Sequence, residues 1–327
     1  MRTTGKIEIR ATALEPILHG AGTSGNTQLL RMQPVVLDDG SVGRVPFISG
    51  NSVKHKLRAS AVSYALDALG VEDGSLSKAE VDLLFSGGHL SKSGAAIDLG
   101  AARQLEQLFP ALSLCGYSAG NAMTESKLRV SHLHLICKEN SWRLPDDLRD
   151  SPHLQLRAGA LRVEDFGTRH DMASKAVGVR LLSGEATAKV EGKKKKALAE
   201  STPSDRGDSA QMIYDYQCIA AGAKLWGTVW FGDITDLEMA ALASAFHYSA
   251  GGQRDGELTT HIGAKNSVGY GAIAVELRSA LRVTTPQYEP TEALAVSGVG
   301  GDRGAKYVAH LRERKSEILA AIREAVA

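Results

Sequence analysis

Apolar and polar residues alternate from Ile7 to Ile17, the two-residue period of a half-buried strand. Gly20–Asn26 interrupts that pattern as a glycine-rich loop. Val35–Ile48 alternates again around Asp38-Asp39-Gly40, which predicts a hairpin. The period then lengthens. Val53, Leu57, Val62, Ala65, Leu66 and Leu69 fall on or near one face of a helix over Asn51–Leu69. Further helical segments are expected at Ser77–Phe85 and Leu99–Leu108, the second stopped by Pro110, and a strand at Lys127–Cys137. From Pro145 to Gly207 the chain is charged, polar and unpatterned, and includes the solvated lysine run Lys193–Lys196. Order returns with two strands, Gln211–Ala220 and Lys224–Phe231, joined by a tight turn at Ala221-Gly222. A helix over Thr235–Ala250, capped by Asp233 or Thr235, and a strand over Gly269–Leu277 follow. A Pro/Gly-rich link over Thr284–Gly304 leads to an amphipathic helix, Lys306–Val326, striped by Ile318, Leu319 and Ile322.

In order, the regular elements read strand, helix, strand, strand, helix, strand. This predicts an α+β fold with a ferredoxin-like (RRM-like) βαββαβ core from residues 1–69 and 209–283. Residues 70–150 form a helical insertion, 151–208 a projecting arm, and 284–327 a linker with a C-terminal helix. Unpatterned stretches as long as Pro145–Gly207 are commonly functional or disordered.

Composition narrows the function. The 327 residues carry a formal charge of only +1, so affinity for nucleic acid has to come from local patches. Cys115, Cys137 and Cys218 are odd in number and widely spaced, which argues against a disulfide framework or zinc site. No cofactor is implied. The N-terminus has no apolar signal region and no run is long enough to span a membrane, so a cytoplasmic location is expected.

One local patch stands out in Arg44-Val-Pro-Phe-Ile-Ser-Gly-Asn-Ser-Val-Lys-His-Lys-Leu-Arg58. Ser49, Asn51 and Ser52 are helix N-cap residue types, and Lys54, His55, Lys56 and Arg58 follow in the first turns. Free backbone N–H groups, the helix dipole and these cations would together receive a phosphate. No acidic residue occurs from Ser41 to Leu66 to cancel the field. A solvated helix turn fits the same residues equally well.

Three motifs resemble the RAMP superfamily of CRISPR proteins, specifically the backbone subunits of RNA-guided surveillance complexes. Phe47-Ile-Ser-Gly-Asn-Ser-Val-Lys-His-Lys-Leu-Arg58 is similar to the family's Ile-Pro-Gly-Ser-Ser-Leu-Lys-Gly-x-Leu-Arg, with Ser49 replacing the proline and Asn51 the first serine. Ala221-Gly-Ala-Lys-Leu-Trp-Gly-Thr-Val-Trp-Phe-Gly-Asp-Ile-Thr235 resembles its second hairpin and helix start. Ile262-Gly-Ala-Lys-Asn-Ser-Val-Gly-Tyr-Gly271 resembles its Ile-Gly-Gly-Lys-x-Ser-x-Gly-Tyr-Gly loop. The altered first motif and the C-terminal helix bring the resemblance nearest to the type IV branch.

The resemblance implies a palm with a thumb-like arm, and copies stacked head to tail in a helical filament along a CRISPR guide RNA. It also implies antiviral defence in a ribonucleoprotein with other effector subunits and target DNA, or alternatively RNA, as partners. The RNA-binding residues it implies are Ser49, Asn51, Ser52, Lys54, His55 and Arg58 at the helix start, and Ser24, Gly25 and Asn26 in the first loop. Lys265, Asn266 and Ser267 lie in the last loop, and Arg162, Arg169 and Lys175 in the arm, where Met172 and Val177 or Val179 would wedge between bases. Such backbone binding is sequence-independent, as one subunit serves any guide.

Other motifs lead nowhere. Gly20-Ala-Gly-Thr-Ser-Gly25 satisfies a dinucleotide-binding pattern, but no helix follows it. Asp165-Phe-Gly167 lacks the rest of a kinase signature. Gly269–Val275 echoes a sheet-face RNA motif, yet Ala272 and Val275 stand where stacking aromatics are needed, so Tyr270 is expected to be structural. His132 and His134 share a strand face but have no further ligand at motif spacing, and a structural role is expected. RNA-cleaving relatives use an aspartate before Asn-Pro-Val; here Met32 stands in Arg31-Met-Gln-Pro-Val-Val36, and Asp38 and Asp39 fit the hairpin turn. A non-catalytic binding protein is therefore expected. The alternative is a guide-processing or target-cleaving endoribonuclease with His19 as acid/base and Lys54 steadying the phosphate.

Overall fold

The computed structural model describes residues 2–37, 39–88, 99–119, 122–169, 212–250, 252–254, 257–283 and 302–326. Its main sheet is antiparallel and has nine strands. From one edge they are β13 (Gly252–Arg254), β14 (Glu257–His261), β15 (Ala272–Val283), β1 (Arg2–Ala13), β12 (Lys224–Thr235), β9 (Leu133–Leu135), β5 (Val42–Ile48) and β4 (Met32–Val36). Strand β8 (Leu128–Val130) also pairs with β12, ahead of β9. The helices are α1 (Gly50–Leu69), α2 (Lys78–Val81, continued by a π turn, Asp82–Ser86), α3 (Leu99–Leu108), α4 (Pro110–Cys115), α5 (Asp236–Ser249), α6 (Asp302–Glu313) and α7 (Lys315–Val326).

The α+β class and the ferredoxin-like core are both present: β15, β1, β12 and β8–β9 stand in the four-one-three-two order of a βαββαβ sheet. The strand assignment needs one correction. The second core strand is β8–β9, not Gln211–Ala220. Strand β11 (Met212–Ile219) joins a second sheet, ordered β10 (Arg162–Arg169), β11, β3 (Thr27–Leu30) and β2 (Gly20–Ser24). The reason is a shared corner. Past Ala13 the chain bends at Leu14 and Glu15, and Ile17 bridges Ile219. The Gly222 N–H, at φ +81°, donates to the Ala13 carbonyl and ties the turn to that corner. Strands β6 (Tyr117–Ala119) and β7 (Ala122–Thr124) form a small separate hairpin.

Alternation along β1 buries Ile7, Ile9, Ala11 and Ala13 toward the helices. A void of about 50 Å³ marks that seam, lined by Ile9, Ile273 and Val275 from the sheet and Val53, Leu57 and Phe246 from α1 and α5. The opposite face is charged. Arg10 Nε donates to Glu8 at 2.6 Å and its Nη2 to Asp147 at 2.5 Å; Arg278 Nη1 reaches the same Asp147 at 3.0 Å. Asp147 lies within the stretch expected to be unpatterned. The described part of that stretch forms short 3-10 turns (Asp146–Leu148, Pro152–Gln155, Ala158–Leu161) followed by strand β10.

The C-terminal helix expected over Lys306–Val326 is two helices, α6 and α7, interrupted at Arg314. Tyr307, Leu311, Ile318 and Ile322 are fully buried, so this element belongs to the core. Helix α5 opens with a capping box in which Thr235 and Glu238 bond reciprocally. Glu238 also accepts from Lys127 Nζ at 2.6 Å and from the Ser113 hydroxyl. Burial pushes this carboxyl up, and those donors more than offset it, leaving it below the ordinary value. Glu238→Ala leaves Lys127 without its partner and is expected to cost about 3 kcal/mol or more in urea unfolding.

Candidate nucleic-acid interface

Strand β5 runs into Ser49, an extended N-cap (φ −66°, ψ 140°) whose hydroxyl accepts from the Ser52 N–H. The helix begins against β8: a Cβ on Gly50 would lie 2.4 Å from the Val130 carbonyl oxygen, so only glycine fits. Two imidazoles meet the turn. The Ser49 N–H donates to His19 Nε2 at 3.1 Å, and the Gly50 N–H to His132 Nδ1 at 2.9 Å. The expectation of free N–H groups is therefore corrected: the amides of residues 49, 50 and 52 are already satisfied. Both accepting nitrogens must be unprotonated. Burial, then Arg31 and His132, push His19 down to about 4; burial, Arg143 and Arg31 lower His132.

Beside this turn lies a cleft of about 570 Å³. Helix α1 contributes Asn51, Ser52, His55, Lys56 and Ala59, residues that share one face at three- and four-residue spacing. Ile262, Gly263, Ala264 and Asn266 of the glycine-rich loop line it as well, together with His19, Gly20 and Arg31. The loop sits this close because its glycines permit it. A Cβ at Gly263 (φ +90°) would lie 2.5 Å from the Leu18 carbonyl oxygen, and one at Gly271 (φ +78°) 2.0 Å from that of Ile262. The Ala264 N–H donates to Leu18 and the Gly271 N–H to Pro16.

Of the residues implied by the resemblance, Ser49, Asn51, Ser52, His55 and Asn266 come together in this cleft. Others do not. Lys54 and Arg58 lie one turn apart on another face of α1. Arg58 Nη2 donates to the Cys115 and Gly116 carbonyls at 2.9 and 2.7 Å, a structural tie to the end of α4. Burial lowers Lys54, Arg58 adds to that effect and Cys115 opposes it. Lys265 adopts the left-handed conformation (φ 60°) and sets its ammonium 3.6 Å from the centre of the Tyr216 ring. Ser267 is exposed in the adjoining turn.

Ser24, Gly25 and Asn26 form the exposed tip of the β2–β3 hairpin, in the second sheet. Arg162 is exposed where β10 begins, and Arg169 ends that strand opposite Met212. Lys175, with Met172, Val177 and Val179, lies outside the described residues. Lys56 and Arg31 line the cleft without having been singled out as RNA-binding. The helical phase from Ser52 points to Lys56; nothing local points to Arg31.

Two structural expectations are met. Tyr270 donates its hydroxyl to Asp165 and packs edge-on against Tyr216. His134 Nδ1 lies 3.0 Å from Arg143 Nη1 and 3.2 Å from Gln33 Nε2, and its ring stacks on Trp226. Burial foremost, then Arg143 and His132, push His134 to about 4. Asp39 closes the β4–β5 turn by accepting from the Ser41 N–H and hydroxyl; Asp38 lies outside the described residues.

With the fold and cleft defined, comparison with known proteins is informative over one stretch. Residues 7–82 match the family model "CRISPR-associated negative auto-regulator DevR/Csa2". The first motif, Phe47–Arg58, lies within this matched stretch. This stretch runs from β1 through α1 to the end of α2, and so covers the N-terminal half of the cleft. No curated protein shows significant similarity. Among solved structures, a chain titled "Type IV-B CRISPR Complex" is 17% identical, with a TM-score of 0.49, covering 91% of this chain and 100% of that one. "Crystal structure of Thermofilum pendens Csc2" is 13% identical, with a TM-score of 0.38, covering 99% of this chain and 81% of that one.

Two measurements test the site's construction. A buried imidazole that resists protonation contributes fully above the unfolded value near 6.5, and that contribution is lost as pH falls toward 4. For His19 the loss is on the order of 3 kcal/mol. His19→Gln keeps an acceptor without titrating, and urea midpoints of this variant should fall less than wild type between pH 7 and 4.5. Arg58→Ala leaves two carbonyls without their donor and should lower unfolding free energy by about 1–3 kcal/mol.

Proposed function

We propose that this chain is a non-catalytic backbone subunit of a CRISPR RNA-guided complex, in the cytoplasm, and that it seats guide-RNA phosphates in the α1 cleft. The observation that carries this reading is a juxtaposition. Two motifs more than 200 residues apart, the α1 start and the Ile262–Gly271 loop, line one cleft. Its lining from β1 through α1 falls in the segment matched to a CRISPR-associated family.

The chemistry suits a sequence-independent grip. Lys56 and Arg31 supply charge, and Asn51, Ser52 and Asn266 supply donors that place phosphates without reading bases. No described carboxylate lines the cleft. The histidines favour binding over cutting: His19 already uses Nε2 to accept the Ser49 amide, and Lys54 sits on another helix face. The exposed hairpin tip Ser24–Asn26, with Arg162 and Arg169 of β10, would contact the RNA beyond one subunit's cleft. Copies would stack head to tail, with other effector subunits and a target strand, of DNA in the type IV branch that the altered first motif suggests.

The test is purification at low salt with absorbance read at the nucleic-acid and protein maxima on a sizing column. RNA co-eluting in a large assembly and released by high salt is expected. Lys56→Glu combined with Arg31→Ala should lower the RNA content several-fold while the monomer stays folded. A nucleic-acid-free monomer that binds no added RNA would overturn the proposal.

A further inference from the structure

Trp230 stands on the helix-free face of the main sheet with 46% of its surface exposed. Directly opposite it are Lys6 on β1 and Arg129 on β8. Opposed residues of an antiparallel ladder share a face at about 5 Å between Cβ atoms. The three side chains therefore form one row: cation, indole, cation. All three line a single cleft of about 770 Å³.

Further along this face the Arg10, Glu8, Asp147 and Arg278 network cancels its charge locally. Here it is not. Among the described residues Lys6 and Arg129 make no ion pair or hydrogen bond, whereas Lys127, in the same cleft, is held by Glu238. Glu125 is the one carboxylate lining the cleft. The neighbouring Trp226 shows the contrast, because its ring is stacked on His134. Trp230 keeps an open, flat apolar surface between two free cations.

The geometry points to a second seat for single-stranded nucleic acid, in which Trp230 stacks on a base while Lys6 and Arg129 hold the phosphates on either side. Stacking on an exposed aromatic accepts any base, and the flanking cations add the salt-dependent term. Duplexes are excluded, since their base faces are already stacked. This seat shares no lining residue with the α1 cleft and does not rest on the reading given for that cleft.

The test uses the full chain, stripped of nucleic acid by high salt, with fluorescein-labelled U20 and dT20 oligonucleotides read by anisotropy and indole quenching. Trp230→Ala should weaken binding roughly five- to hundredfold, the range for one stacked base, and remove most of the quenching. Trp142→Ala, the other exposed tryptophan, should change neither. Lys6→Ala with Arg129→Ala should reduce the salt slope by about 0.7 per cation. Comparing U20 with dT20 assigns the seat to RNA or DNA. Unchanged affinity and quenching in Trp230→Ala would overturn the inference, even if the cleft variant Lys56→Glu lost binding. So would a change in oligomeric state alone, which would make the row an interface between copies.

Discussion

Helix α1 starts so close to strand β8 that residue 50 has no room for a side chain, and the rest of the site follows from that contact. Gly50 lets the helix terminus abut the Val130 carbonyl. His132, two residues further along, can then accept the Gly50 N–H, while His19 from the first strand's continuation accepts the Ser49 N–H. The turn is clamped from both sides by neutral imidazoles. This orients the 52, 55, 56, 59 face of the helix toward the cleft and the 54, 58 face toward α4, where Arg58 is consumed by two carbonyls.

The glycine-rich loop meets that face because it obeys the same steric logic. Gly263 and Gly271 take positive φ and approach carbonyl oxygens at distances no other residue allows. The carbonyl at Gly263 belongs to Leu18, next to His19, so one short segment supports both the helix cap and the loop. Lys265 is then turned away, onto the Tyr216 ring beside the Asp165–Tyr270 pair. In this way the loop also fastens the second sheet, which flanks residues 170–211, to the main one.

Local features were readable from sequence and long-range ones were not. The Ser49 cap, the β4–β5 turn and the cap of α5, which falls to Thr235 of the two candidates Asp233 and Thr235, depend on residues within four positions of each other. They appear where the pattern predicts them. Strand pairing depends on distant partners. Strands β11 and β12 look like a hairpin because a tight turn joins them, but the corner at Ala13–Ile17 sends β11 to the second sheet and leaves its place to β8–β9. The same limit governs the site. Helical phase is enough to separate Lys56 from Lys54 and Arg58, whereas the two histidine caps lie 30 and 82 residues from the amides they accept, and Arg31 sits in the link between β3 and β4, outside any helical phase.

The central claim, that phosphates sit between α1 and the glycine-rich loop, is tested most directly by ultraviolet cross-linking of the RNA-loaded protein, followed by mass spectrometry of the adducts. The account predicts nucleotide adducts on the peptides containing His55–Lys56 and His261–Asn266. Adducts confined to other peptides, with both of these unmodified, would contradict it.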